Sequence, residues 1–253
     1  MKSQISRVFR NKLSRFGILA IILIPCMEII QLLSADIYED SYLAKAFFLS
    51  GSTIGHVTQI ILLWFLPLYL LVICSDDPIQ DKKTGVRDIW ISKLGKKKYF
   101  FVKLKASFIV SFSVIFLALT INFLINSLFF DMAGFSTANN YDGVSGEAFL
   151  KKQVESPYLS IFLFSLTTSF FAGLIGAAGT CFSMLTYDKK ITYPVTFAFW
   201  YILISNKESV MYLFQPFAEY GLETLVPIFI TSTLAFLILY ILTYLHEVKI
   251  NEI

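Results

Sequence analysis

Residues 158–186 read YLSIFLFSLTTSFFAGLIGAAGTCFSMLT, a run without a single acidic or basic side chain. An α-helix rises about 1.5 Å per residue, so about 20 apolar residues cross the roughly 30 Å hydrocarbon core of a bilayer. This run is longer than that minimum. It therefore predicts a membrane-spanning helix that tilts or extends into water.

Apolar runs of similar character lie on both sides of this stretch, and one shorter run contains Pro194. They predict an all-α integral membrane protein that forms a single transmembrane domain over residues 1–253. We expect six transmembrane helices, at about residues 16–33, 57–74, 106–130, 158–186, 191–205 and 222–245.

The composition agrees with a chain surrounded by lipid. Hydrophobic residues make up 56% of the chain and charged residues 15%, whereas about a quarter of a soluble domain is charged. The segments outside the spans are short, the longest being residues 75–105, so we expect no soluble catalytic domain, no enzyme activity of the chain itself and no nucleic-acid partner. The two histidines, His56 and His246, are far apart, and the three cysteines share no short spacing, so we expect no metal site.

Lysine and arginine predict the orientation of the chain, because cytoplasmic loops carry an excess of these residues. Most of the 21 basic residues lie in the first tail, between the second and third spans, after the fourth span and in the last tail. The loops on the opposite side carry more acidic than basic residues. We therefore expect a multi-pass protein of the bacterial cytoplasmic membrane with both termini in the cytoplasm.

The first 15 residues mix basic and apolar side chains, and Ile5, Val8 and Phe9 recur at helical spacing. This pattern favours an amphipathic interfacial helix whose basic residues contact anionic membrane lipid. A tail that only sets the topology is the alternative. A signal peptide fits less well, because the following run is long and no clean cleavage site follows it.

The segment between the second and third spans, residues 75–105, reads SDDPIQDKKTGVRDIWISKLGKKKYFFVKLK. Val86, Ile89, Trp90 and Leu94 fall at helical spacing, with charged residues between them. This predicts a short amphipathic helix that lies along the membrane and is followed by a basic cluster. An ordinary positively charged loop is the alternative.

This segment resembles one found in ABC-2-type transporter permeases. The features that carry the resemblance are residues 81–85 (DKKTG), the short helix with Ser92, the basic cluster and Lys103. In that family an acidic residue plus base, a glycine, about eight helical residues and a base-rich turn precede a lysine at the start of the third span. The chain departs from the pattern at Gly95, where many members have Pro-x-x-Arg. The likeness in motif covers about residues 81–103, whereas the likeness in size and topology covers nearly the whole chain.

The resemblance implies a permease that pairs with a cytoplasmic P-loop ATPase, on which ATP and Mg would bind. It also implies a second permease chain, either an identical copy or a related paralogue. The chain has no phosphate loop of its own, since residues 51–55 (GSTIG) lack the lysine and the spacing. In this interpretation the short helix couples to the ATPase, and the contact residues are Asp81, Thr84, Gly85, Arg87, Asp88, Trp90 and Lys93.

A few residues inside the spans are candidates for a substrate pathway. Glu28 is the only acid in the interior of a predicted span, since Glu223 lies at the first turn of the last one, and a carboxylate in hydrocarbon usually faces a cavity or a partner. A structural pairing of Glu28 is equally compatible with the sequence. The candidate pathway residues are Glu28, Gln59, Phe197, Trp200 and Tyr201.

Small residues in the fourth span are spaced four apart, which favours close packing of helices. They are Ala172, Gly173, Gly176 and Ala177. The segment 206–221 resembles the outer re-entrant hairpin that ABC-2 permeases place between spans five and six. The outer loop 131–157 is expected to be a connector.

The resemblance therefore implies an ATP-driven exporter of an amphipathic substrate, either peptide or lipid-like. Small permeases of this kind in Gram-positive bacteria export bacteriocins or toxins, or confer antimicrobial resistance or immunity. Two alternatives stay open from the sequence. One is an ion-coupled secondary transporter that uses Glu28, and the other is a membrane immunity protein that transports nothing.

Overall fold

The computed structural model describes residues 2–34, 46–50, 56–130 and 147–249, and within these ranges it contains helices and turns but no strand. The glycine-containing residues 51–55 and much of the outer loop 131–157 lie outside the described residues. The helices are α1 (Lys2–Arg10), α2 (Lys12–Ser34), α3 (Val57–Trp64), α4 (Leu66–Ser75), α5 (Asp77–Lys83), α6 (Val86–Leu94), α7 (Lys96–Phe129), α8 (Glu147–Glu155), α9 (Pro157–Thr186), α10 (Lys189–Ser205) and α11 (Leu222–Lys249).

The all-helical prediction is confirmed for the described part of the chain. Four helices, α2, α7, α9 and α11, are long and apolar enough to cross a membrane. The pair α3 and α4 passes the same criterion together, although the two helices meet at a 50° bend. The helix α10 has 17 residues. The predicted span at residues 191–205, which α10 contains, therefore stays a prediction.

Two helices begin earlier than the apolar runs suggested. The helix α2 starts at Lys12 rather than at residue 16, and the Asn11 side chain accepts a hydrogen bond from the Leu13 amide at 3.1 Å. The helix α7 starts at Lys96, ten residues before the predicted third span, which began at residue 106. Both extensions carry basic residues, which a search for apolar runs excludes.

The central element is α9. Within its most apolar stretch 72% of the residues are buried, against 22% in α11 and 33% in α2. Ser75 and Ser107 both donate hydrogen bonds to the carbonyl of Gly176 at 2.8 Å, so α4 and α7 meet on one face of α9. The helix that is surrounded most completely by other helices is thus the one with the run of small residues.

The bend between α3 and α4 follows from Pro67. Proline has no amide hydrogen, so it cannot donate to the carbonyl four residues earlier, which is that of Leu63. The indole Nε1 of Trp200 donates to this carbonyl instead, at 2.9 Å. The substitute donor comes from α10, so the broken helix is held to its neighbour at the point where it bends.

We expect Trp200→Phe to lower the free energy of unfolding by about 1–3 kcal/mol, because it leaves the buried Leu63 carbonyl without this donor. Unfolding in detergent would measure the effect. Tyr201→Phe is the matched control, since Tyr201 is 46% exposed, and it should change little. Equal effects of the two substitutions would contradict this account of the bend.

Segment 206–221 joins α10 to α11 at the end of the bundle opposite α6. It was predicted as a re-entrant hairpin, but it contains a short 3₁₀ turn, Val210–Phe214, and irregular backbone rather than two helices. Val210, Leu213 and Phe214 are buried, and the Phe217 amide donates to the Gln153 side chain of α8 at 2.8 Å. Its entry into the membrane stays a prediction.

Candidate functional site

The short helix α6 lies between two glycines whose backbones have positive φ. Gly85 has φ 70° and Gly95 has φ 78°. Gly85 is in the left-handed region, where a side chain costs about 1–2 kcal/mol, and Gly95, with ψ 153°, is in a region that is essentially restricted to glycine. Nothing lies within 4 Å of the position that a Cβ would take at either glycine, so the backbone conformation rather than crowding requires glycine there. These two turns set α6 apart from α5 and α7.

The two sides of α6 have different surroundings. Trp90 and Ile91 pack against a cluster from other helices that includes Tyr99, Cys181 and Met184. The opposite side is open, and Ile89 is 55% exposed there. The other exposed residues of the helix are Asp88, Ser92 and Lys93. An apolar side chain surrounded by both signs of charge is a suitable surface for a protein partner.

Arg87 ties the start of α6 to the end of the last helix. Its guanidinium donates to Glu247 at 3.2 Å, and the Tyr187 hydroxyl donates to the same carboxylate oxygen at 2.8 Å. Burial raises the pKa of Tyr187, and the charge of Glu247 raises it further, so the phenol stays a donor. The start of α6 and the end of α9 therefore meet at one carboxylate of α11.

A second set of charged residues holds α5 in place. The carboxylate of Asp81 is fully buried and accepts hydrogen bonds from Arg7 at 2.7 Å and from the Tyr99 hydroxyl at 3.2 Å. Lys103 pairs with Asp81 at 2.5 Å and also contacts Asp77. We call these five residues the charge cluster. The charge cluster joins α1, α5 and α7 beside α6.

The seven predicted coupling residues thus have different surroundings. Thr84, Gly85, Asp88 and Lys93 are exposed. Arg87 and Trp90 are half-buried on the side of α6 that faces the other helices. Asp81 is buried, so it cannot contact a partner, and its position fits a role in fixing α5 instead. The structure brings the seven residues together at one end of the bundle.

The predicted pathway residues are not brought together in the same way. Glu28 and Gln59 are buried, and the Gln59 side chain donates to the Phe48 carbonyl. Trp200 faces the interior of the chain, so it does not line an open path. Tyr201 is exposed, and its ring stacks on that of Phe197, with centroids 6.2 Å apart.

An aromatic surface extends from these last two residues, with Phe65 and Tyr201 exposed and Trp64 and Phe197 half-buried. The Phe197 ring also stacks on that of Phe65 at 5.6 Å, and Trp64 contacts Tyr201 edge to face at 6.3 Å. We call Trp64, Phe65, Phe197 and Tyr201 the aromatic patch. The aromatic patch spans the junction of α3 with α4 and the adjacent face of α10, and it extends the two-residue prediction to a continuous surface.

Comparison with known proteins shows a relative over the whole length of the chain. The protein YybM of Bacillus subtilis (strain 168), described as uncharacterized, is 44% identical over 252 residues, or 100% of each chain. The chain belongs to the YybM family. No model of a known protein family and no solved structure matches the chain. The identity with YybM covers α1 to α11, so the two proteins share the whole domain.

Several contacts in this member of the YybM family involve residues that the sequence analysis did not single out. Ser183 donates to the Ser75 carbonyl at 2.8 Å, and the Asn122 side chain donates to the Pro25 carbonyl at 2.9 Å. Serine and asparagine inside apolar runs were visible in the sequence, but their partners were not. In the charge cluster, Arg7 and Asp81 are 74 positions apart.

Metal binding finds no support among the described residues, because they contain no group of three or more His, Cys, Asp or Glu side chains arranged to hold an ion.

Proposed function

We propose that this chain is the membrane-spanning permease subunit of an ATP-driven ABC exporter. In this proposal α6 is the coupling helix, a separate cytoplasmic subunit binds ATP and Mg, and two permease chains form the pathway. The observation that carries the proposal is the exposed side of α6, with Ile89 at its centre, on a helix that Arg87 and Trp90 anchor to the rest of the chain.

The six-span topology belongs to the same proposal. The helix α10 has 17 residues, and at about 1.5 Å per residue such a helix is roughly 25 Å long. That length is a little short of the bilayer core, and the partly buried segment 206–221 lies directly after it. Basic residues at the start of α2, around α6 and at the start of α10 favour a cytoplasmic location for this end and for both termini.

The aromatic patch supports an interface or a pathway for an amphipathic substrate. Phe65 is 42% exposed and Tyr201 is 46% exposed, and the rings form one surface rather than isolated side chains. A second permease chain placed against it would enclose aromatic surface from both copies. A peptide or lipid-like substrate would find apolar contacts there, as bacteriocin or toxin export or antimicrobial resistance requires.

Photo-crosslinking from α6 tests the coupling proposal. A crosslinking residue placed at Ile89 in the native host should capture a P-loop ATPase, identified by mass spectrometry. The matched control is Leu128, which is 79% exposed at the other end of α7 and should not capture the ATPase. We expect Ile89→Glu to reduce co-purified ATPase about tenfold or more, because it removes an apolar contact from the centre of the interface.

The competing class is ion-coupled transport through Glu28, which is favoured only by the burial of that side chain in α2. Under that reading Glu28→Gln abolishes the cellular phenotype of the chain and Ile89→Glu leaves it unchanged. That pair of results, with no P-loop protein captured at Ile89, would overturn the ABC proposal. An immunity protein that transports nothing would capture no ATPase and would tolerate both substitutions.

A further inference from the structure

One side of α7 lines two adjoining grooves. The first has a volume of about 570 Å³ and is lined by Leu94, Lys97, Lys98, Phe101, Val102 and Lys105. The second has a volume of about 280 Å³ and is lined by Leu104, Lys105, Phe108, Ile109, Ala177 and Tyr240. Lys105 belongs to both. The two grooves therefore form one surface, with lysines at one end and apolar side chains at the other, which we call the α7 groove.

The lining residues occupy a single face of the helix. Positions four apart on an α-helix share a face, so Lys97, Phe101 and Lys105 follow one another, and Phe108 and Ile109 continue the same stripe. The rise of about 1.5 Å per residue puts Lys97 roughly 18 Å from Ile109 along the axis. Half of the hydrocarbon core is about 15 Å thick. From Lys97 to Ile109 the α7 groove is thus about as long as the hydrocarbon half of a bilayer is thick, and its lysines occupy roughly the first 12 Å of it, up to Lys105.

The lysines of the α7 groove have no ion-pair partner within the ranges that the structure describes. Lys97, Lys98 and Lys105 are exposed, and none of them forms an ion pair with any residue in the described ranges. Lys103 on the same helix is different, because it is buried between Asp77 and Asp81. Three lysines that form no ion pair in the described ranges lie at the basic end of an apolar groove. This arrangement matches a ligand with a negative head group and a hydrocarbon tail.

The apolar end offers surface for a hydrocarbon chain. Phe108 and Ile109 present carbon atoms to the groove, and the buried Ala177 of α9 lies at its floor. The Tyr240 hydroxyl of α11 already donates to the Leu174 carbonyl at 2.6 Å, so its ring, rather than a free polar group, faces the groove. An acyl chain here would contact α7, α9 and α11 together.

We propose that the α7 groove binds an anionic phospholipid. Its phosphate contacts Lys97, Lys98 and Lys105, and one acyl chain lies along Phe108, Ile109 and Ala177. The inference rests on membrane insertion, as in the proposed function, but not on the ATPase. The bound lipid fills the space between α7, α9 and α11. It therefore stabilises α7, the helix that directly follows α6.

Native mass spectrometry of the detergent-purified full chain tests the proposal. With equimolar phosphatidylglycerol and phosphatidylcholine added, we expect the chain to retain the anionic lipid with about a tenfold or greater preference, since each surface lysine favours anionic lipid. The variant K97Q/K98Q/K105Q should lose most of this preference. The control K12Q/K83Q/K190Q removes the same charge from exposed lysines outside the groove and should keep it.

A second pair of variants tests the acyl-chain end without changing charge. Ile109→Trp should lower phosphatidylglycerol retention several-fold by filling the groove. Leu117→Trp, at an exposed position further along α7, should not. The melting temperature of each lipid-free variant separates loss of binding from loss of folding.

Three results would overturn the proposal. They are equal retention of the two lipids by the unmodified chain, equal retention of phosphatidylglycerol by the two triple variants, and displacement of the lipid by millimolar inorganic phosphate. The last would show that the lysines bind phosphate without an acyl chain. Release of the chain from membranes by alkaline carbonate is a separate result, since it would contradict membrane insertion itself.

Discussion

Replacing Asp81 with alanine is expected to lower the free energy of unfolding by about 3–5 kcal/mol, because the buried Lys103 and the neighbouring Arg7 would then share the single carboxylate of Asp77 within the charge cluster. The Lys103 side chain is 3% exposed and the Asp81 side chain is 0% exposed. Arg7 and Tyr99 would also lose the hydrogen bonds that they donate to Asp81. Chemical or thermal unfolding in detergent measures the change.

The matched control for Asp81 is Asp88, a carboxylate seven positions later whose side chain is 81% exposed. Its contact with Arg87 at 3.8 Å lies at the surface, so Asp88→Ala should change stability by less than about 1 kcal/mol. Asp81→Asn keeps the shape of the side chain and removes its charge, and it should be nearly as damaging as Asp81→Ala. Similar stability of the Asp81 and Asp88 variants would show that the charge cluster does not hold α5 in place.

The second large effect is expected at Gly176, where α9 approaches α7. A Cβ at this position would lie 2.0 Å from the Ser111 Oγ and 2.7 Å from the Ser111 Cβ. Gly176→Ala therefore forces the two helices apart, and overpacking of this kind costs about 1–3 kcal/mol. The Gly176 carbonyl also accepts the Ser75 and Ser107 hydroxyls, so separation weakens those hydrogen bonds too.

A double-mutant cycle identifies the cause of the Gly176 effect. Ser111→Gly removes the atoms that the new methyl group would meet, so Gly176→Ala should cost less in the Ser111→Gly background than in the original chain. Gly85→Ala serves as the control, because its expected cost comes from a backbone φ of 70° and not from crowding. Ser111→Gly should not rescue it. Strict additivity of Gly176→Ala and Ser111→Gly would contradict the close-contact explanation.

Much of the architecture was accessible from the pattern of residues. Long uncharged runs predicted helices, and α2, α7, α9 and α11 lie on those runs. Gly85 and the apolar spacing from Val86 to Leu94 predicted a short helix, and α6 occupies that range. These predictions depend on local chemistry, since each run determines whether its own backbone can be satisfied in an apolar environment.

The candidate site was only partly accessible. The exposed residues of α6 were expected, but Asp81 was assigned to the partner surface and the structure places it in the interior. Its partners Arg7 and Lys103 come from distant parts of the sequence. Trp200 was assigned to a pathway, and it instead donates to the carbonyl that Pro67 leaves without its helical donor. Neither pairing leaves a sequence pattern, because each joins residues from different helices.

The sequence by itself determined which segments are helical and where the glycines interrupt them. Only the tertiary structure decided which helix lies at the centre. The helix α9 has a mean hydropathy of 1.8 and is 72% buried, whereas α11 has 2.4 and is 22% buried. The more apolar of the two helices is thus the less buried one. High hydropathy does not move a helix to the centre, because lipid tails are as apolar as leucine and drive no helix inward. Small residues and serines on α4, α7 and α9 permit close approach and hydrogen bonding, and these contacts put α9 at the centre.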